Sequence, residues 1–169
     1  MAGGLPWGGV YRKMFVKLEL EMNQYFVKNK CVIDEQTGLM WTRNASLLDF
    51  PMSWDEALNE VKELNASKLF GYNDWKIPNR RELFSLMSHK MINPSLPANH
   101  PYVDVFHSYY WTSSTCARLP NQAWYIHLGG ARVFKGMKYG SYMVWPVRFD
   151  KNNISNRLLQ TGQKLCYNH

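Results

Sequence analysis

A chain of 169 residues with 46% hydrophobic and 15% aromatic content can bury one sizeable core and is too rich in rings for a disordered polymer. No apolar run is long enough to cross a bilayer, and Arg12, Lys13, Lys17, Glu19 and Glu21 break the apolar centre that a signal peptide needs, so the protein stays inside the cell or a leader is missing from this chain. The net charge of +7 is uneven: residues 1–114 hold 12 basic and 12 acidic side chains, whereas residues 115–169 hold eight basic residues against Asp150 alone, which points to an anionic partner or to a merely solvated basic face.

Residues 1–24 read as an N-terminal extension. Met1–Gly9 is rich in glycine, and the apolar residues from Val10 to Phe26 suit a strand or a short helix equally. A clearer unit begins at Lys30. Cys31–Ile33 and Leu39–Trp41 flank the acidic, glycine-bearing run Asp34–Gly38, which is a hairpin signal. Ser53 to Asn65 predicts a helix. Ser53 and Glu56 have the spacing of a capping box, and Trp54, Ala57, Leu58, Val61 and Leu64 form one apolar stripe. Asn79 and Glu82 repeat the box before Leu83, Phe84, Leu86 and Met87, and Asn93-Pro94 and Leu96-Pro97 end any helix.

Residues 98–108 are expected to form an irregular loop, with strand-like residues from Tyr109 onward. Trp124, Ile126 and Leu128 alternate with Tyr125 and His127. Gly129-Gly130 then predicts a two-residue hairpin turn, and Ala131–Lys135 the return strand. Met143, Trp145, Val147 and Phe149 form a further alternating face opposite Tyr142, Val144 and Arg148. Residues 151–169 read as a polar tail. The order predicts a single α+β domain over residues 25–150, with two helices packed beside a twisted antiparallel sheet and long loops. Trp41, Trp54, Trp75, Trp111, Trp124 and Trp145 are assigned to the structural core.

Several runs resemble one family together and in order. They are Asp34–Trp41, Ser53–Ala57, Asp74–Leu83, Tyr110–Ser114, Ala123-Trp124 and Val147–Phe149. The set resembles the Lcl C-terminal domain family over about residues 25–150. The resemblance implies a C-type-lectin-like fold, akin to formylglycine-generating enzymes. In bacterial collagen-like adhesins a similar domain forms a trimer and binds sulfated glycosaminoglycans, which implies a secreted or cell-surface location and a homo-oligomer. Other proteins of this broad fold display variable surfaces diversified by retroelements. This chain contains no Gly-X-Y collagen stretch.

Catalysis finds little footing in the residues. Ser113, Ser114, Cys116, His89, His107 and Asp104 could supply a hydrolase triad, but no spacing ties them together and no nucleophile elbow is present. A formylglycine-type oxidase needs two cysteines converging on copper. Of Cys31, Cys116 and Cys166, only Cys116 lies at such a position in the matched region. One disulfide could form, although buried unpaired thiols are the plainer reading. Asn73-Asp74 resembles part of a calcium site, yet Ile77 stands where the acid of a lectin Glu-Pro-Asn motif would precede Pro78-Asn79. No catalytic residue, metal site or cofactor is therefore assigned.

The remaining signal is anion capture. Arg118, Arg132, Lys135 and Lys138 interleave with Tyr125, His127, Tyr139 and Tyr142, and are assigned as ligand-binding. Guanidinium groups hold sulfate or phosphate through paired hydrogen bonds, lysine adds point charge, and tyrosine adds rigid contact area. The expected function is a non-catalytic module for an anionic glycan or an acidic protein partner. Nucleic acid is disfavoured because no nucleic-acid-binding signature appears. The alternatives are a protein-binding variable scaffold, displayed on loops 98–108 and 115–122, and an inactive oxidase relative.

Overall fold

The computed structural model describes residues 24–150. The expected polar tail, Cys166 and nearly all of the expected N-terminal extension lie outside the described residues. The first elements are β1 (Tyr25–Lys28), β2 (Cys31–Asp34) and β3 (Leu39–Thr42), joined as antiparallel hairpins. The β2–β3 turn forms because Asp34 organises it. Its carboxylate accepts hydrogen bonds from the Gln36 N–H at 3.0 Å and the Thr37 hydroxyl at 2.8 Å, and Gly38 takes φ 70°. Such a positive φ costs glycine nothing.

Helix α1 (Trp54–Ala66) starts at the expected cap. The Ser53 hydroxyl accepts from the Glu56 N–H, and the Glu56 carboxylate accepts from the Ser53 N–H at 2.8 Å. Helix α2 (Arg80–Ser85) has the same reciprocal box at Asn79 and Glu82. Strands β4 (Tyr109–Cys116), β5 (Leu119–His127) and β6 (Arg132–Met137) follow, and β7 (Val147–Phe149) returns to pair with β3. The α+β class stands, compatible with the C-type-lectin-like arrangement. The expected one sheet is in fact two: β1-β2-β3-β7 and β4-β5-β6.

Two details differ from the sequence reading. Gly129-Gly130 is not a two-residue turn, because His127 pairs with Arg132 and leaves Leu128–Ala131 as the connection. Gly130 at φ 80° and Ala131 at φ 51° supply the left-handed bend. Residues 115–122 are not an exposed loop. Cys116 pairs directly with Leu119, so only Ala117 and Arg118 span the turn. Residues 98–108 are irregular as expected but tied down. Ala45 donates to the Val103 carbonyl at 3.0 Å, and Tyr102 is buried.

Strands β2 and β3 are buried on both faces, which separates two apolar clusters. Val32, Leu39, Trp41, Leu83, Tyr110, Ile126 and Trp145 belong to one. Ile33, Met40, Trp54, Ala57, Trp75, Ile77 and Trp111 belong to the other. Buried indoles need partners for their N–H groups. Trp54 donates to the Thr112 carbonyl, Trp111 to Met52 and Trp145 to Thr42, each at 2.9 Å, and Trp75 donates to Leu69 at 3.1 Å. These bonds lock ring orientation across elements distant in sequence. Among the described residues, no helix is long and apolar enough to cross a membrane.

Candidate ligand-binding groove

The eight residues assigned to ligand binding do not share one surface. In an antiparallel sheet, directly opposed residues lie on the same face. Trp124 opposes Lys135, and Ile126 opposes Val133. Tyr125 opposes Phe134, and His127 opposes Arg132. The sheet therefore separates Lys135 from Tyr125, His127 and Arg132.

The Tyr125 face is a packed aromatic cluster. Tyr125 lies 4.2 Å from Tyr142 and 5.8 Å from Phe134 between ring centroids, and Tyr109 lies 4.6 Å from His127. Burial, a hydrogen bond with Tyr125 and the nearby Tyr125 and Tyr109 hydroxyls push the Tyr142 phenol up to about 12. His127 is engaged by its own turn, where Nδ1 accepts from the Gly129 N–H at 3.0 Å. Lys138 is also occupied, with its ammonium 3.9 Å from the Trp54 ring centroid. Tyr139 stands alone on the next turn, 78% exposed. Arg148, counted in the basic C-terminal third, is buried. It pairs with Asp74 at 2.6 and 3.1 Å and stacks 3.9 Å from the Tyr72 ring centroid. The Asp74 carboxylate, read in sequence as part of a calcium-like pair, is thus held by a cation.

The opposite face carries a different constellation. A groove of about 490 Å³ runs between the N-terminal turn of α2 and the β4–β5–β6 sheet. Arg118 and Lys135 are the two expected residues that line it. Arg80 and Arg81 join them from α2, and the ring of Trp124 stands between. Trp124 is therefore corrected from core to groove wall. It is only half-buried because its strand partner Lys135 sits on an edge strand and α2 covers one side alone. The Arg80 guanidinium lies 4.6 Å from the Trp124 ring centroid, a cation–π contact that orients both groups.

The capping box determines where Arg80 and Arg81 project. Asn79 Oδ1 accepts from the Arg81 and Glu82 N–H groups, each at 2.9 Å, while buried Glu82 accepts from the Asn79 N–H at 2.7 Å and pairs with Lys76. Two bonds then tie this turn to β4. Ser113 donates to the Pro78 carbonyl at 2.9 Å, and Arg80 N–H donates to Ser114 Oγ at 3.0 Å. Sequence reasoning missed both arginines because it looked for charge in the C-terminal third. Two adjacent arginines directly after a capping residue were the available signal.

Four cationic side chains thus converge, all solvent-exposed, and none forms an ion pair among the described residues. Among the described residues, no carboxylate lines the groove. Its floor includes Cys116, which is buried and unpaired, as is Cys31. Among the described residues, no three His, Cys, Asp or Glu side chains converge as metal ligands. The chemistry available is charge-assisted hydrogen bonding to an anion, with a planar aromatic surface beside it.

No curated protein matches the chain. Residues 30–148 match the Lcl C-terminal domain, and this stretch spans most of the chain and every strand and helix lining the groove. The chain therefore belongs to the Lcl C-terminal domain family.

Proposed function

We propose that the protein is a non-catalytic binding module that holds an anionic glycan in the groove of Arg80, Arg81, Arg118 and Lys135. The observation that carries this reading is the convergence of four exposed cations around Trp124, with no carboxylate in the walls among the described residues. Unpaired arginines present forks that match sulfate and carboxylate oxygens, and their alignment is partly prepaid by the Arg80–Trp124 stack. Two of the candidate catalytic groups are engaged in structural hydrogen bonds. Ser114 Oγ accepts from Arg80, and Asp104 accepts from Asn44 at 2.8 Å. An adhesin-like role is the biological form of this reading.

The test is retention on immobilised heparin across a salt series, with DNA as competitor. Wild type is expected to outlast a control protein of equal net charge and to lose little to DNA. Arg118→Gln with Lys135→Gln should weaken retention and reduce its salt slope, because fewer counterions are displaced. Neutralising Arg132 and Lys138, on other surfaces, should change it far less. Equal effects from both pairs would mean general charge attraction and would overturn the assignment.

A further inference from the structure

Strand β6 is the last strand of its sheet, and among the described residues no strand pairs with its outer side. The register says which backbone groups that side carries. The Lys138 N–H donates to the Asn121 carbonyl at 3.0 Å across the same register, while the Trp124 carbonyl turns the other way and accepts from the Thr112 hydroxyl at 2.7 Å. Hydrogen-bonded pairs alternate along an antiparallel ladder, so Arg132, Phe134 and Gly136 bond to β5. Val133 and Lys135 therefore direct their N–H and C=O groups outward. Met137 closes one end, since its carbonyl accepts from the Gly140 N–H at 2.9 Å, and Ala131 bends the other end away at φ 51°. Val133–Lys135 remains as a short open ladder among exposed side chains, with Val133 37% and Phe134 36% accessible.

The two faces beside this edge differ. Val133 and Lys135 lie on the Trp124 face, where a concavity of about 620 Å³ is lined by Arg80, Arg81, Phe84, Ser85, Trp124 and Val133. Phe134 lies on the other face, stacked on Tyr125. We propose that β6 accepts an extended acidic segment of another protein as a fourth strand, with its acidic side chains on the Arg80–Arg81–Lys135 face and apolar ones on the Phe134 face. Backbone bonds to Val133 and Lys135 supply the attachment, and the alternating side chains supply the choice of partner. Charge complementarity selects an acidic strand. Arg132 and Lys135 stand on β6, Arg80 and Arg81 face it from α2, and among the described residues no carboxylate lines the concavity. A glutamate on that face would lay its methylenes on Phe84 and Val133 and offer its carboxylate to an arginine fork. The same charges oppose a second copy of this chain, because β6 against β6 would bring like cations together, and lysine on an edge strand works against such pairing. The proposal is independent of the glycan reading, since it rests on backbone groups at the sheet edge.

The probe is a fluorescein-labelled, end-capped peptide alternating glutamate and valine over about ten residues, the upper length of an ordinary strand. Anisotropy titration at pH 7 is expected to show saturable binding, with none by the lysine–valine counterpart. Two N-methylated versions test the pairing itself, one methylated at every glutamate and the other at every valine. Only alternate residues of an added strand turn their N–H groups toward β6, so one version should lose binding and the other keep it. Val133→Pro deletes an outward N–H on an edge strand, where proline is tolerated, and should weaken the unmodified peptide about tenfold. Heparin retention of that variant should stay within about twofold of wild type because no cation is removed. If Val133→Pro does not fold, the methylated pair carries the test on the wild-type chain. Absence of saturation below about 1 mM, equal affinity of the two methylated versions, or equal binding of the lysine peptide would overturn the proposal. So would a wild-type dimer in sedimentation that Val133→Pro converts to monomer, because a second copy then occupies the edge. Failure of wild type to bind heparin while the peptide still binds would sink the glycan reading alone.

Discussion

Replacing Glu82 with alanine tests the link between the second capping box and the groove. The Glu82 side chain is 1% exposed, accepts from the buried Asn79 N–H at 2.7 Å and pairs with Lys76, whose side chain is 18% exposed. Alanine removes both bonds together. The orphaned Asn79 donor costs about 1–3 kcal/mol. Lys76 loses its partner, but its ammonium keeps some solvent and a position 4.5 Å from the Phe149 ring centroid, so that cost falls below the roughly 3–5 kcal/mol of a fully buried pair. A total near 3 kcal/mol lowers the melting temperature by about 6–12 °C for a domain of this size. Circular dichroism melts with urea titration measure this. Glu82→Gln, which keeps an acceptor for Asn79, should lose about half as much. Ligand binding supplies an independent sign. Deleting an acid beside a cationic groove should tighten anion binding if only charge matters, whereas loosening the turn that aims Arg80 and Arg81 should weaken it. A stability loss under about 1 kcal/mol together with tighter heparin retention would refute the positioning argument.

Three further outcomes follow from groups packed inside the fold. Burial raises the Asp34 carboxyl above its usual value despite the hydrogen bonds it receives, so its contribution is fully present below about pH 4 and is lost as pH rises through the folded-state value. Asp34→Asn keeps an acceptor for the turn and should be the more stable protein at pH 7, with the advantage shrinking toward pH 4; urea midpoints across pH check this, and parity at pH 7 would contradict it. Gly136→Ala would set a methyl 2.9 Å from Tyr125 Cε1, in a ring cluster braced by Tyr142 and Phe134. Overpacking of this kind costs about 1–3 kcal/mol and should appear as a lowered urea midpoint with loss of near-ultraviolet dichroism. Burial pushes the Cys31 thiol up to about 11, so Cys31 should resist iodoacetamide at pH 8 in the native protein and react fully in urea, as read by peptide mass spectrometry.

Local signals carried much of the architecture. The boxes Ser53–Glu56 and Asn79–Glu82 start helices where their spacing says, because cap bonds are made within three residues and need no distant partner. The same holds for the Asp34–Gly38 turn, which one carboxylate and one glycine organise. Five of the six tryptophans assigned to the core are buried, since large rings find apolar cover in most packings.

The site was legible only in part. Arg118 and Lys135 were visible as charge, but Arg80 and Arg81 lie some 40 residues earlier along the chain, in a stretch whose acids cancel its bases. Their convergence on Trp124 depends on the Ser113–Pro78 and Arg80–Ser114 bonds that dock α2 on β4, a long-range event without a sequence period. Strand register decided the rest. Pairing Trp124 with Lys135 and Tyr125 with Phe134 divides neighbouring residues between two faces, and a slip of one residue would exchange them. Sequence by itself determined the two capped helices, the β2–β3 hairpin and the class of the fold, because those follow from contacts a few residues apart. Only the tertiary structure decided which cations share a groove, which are spent on Asp74 and Trp54, and that Trp124 serves as a wall. Those outcomes depend on which faces meet when distant segments bury their apolar surface together.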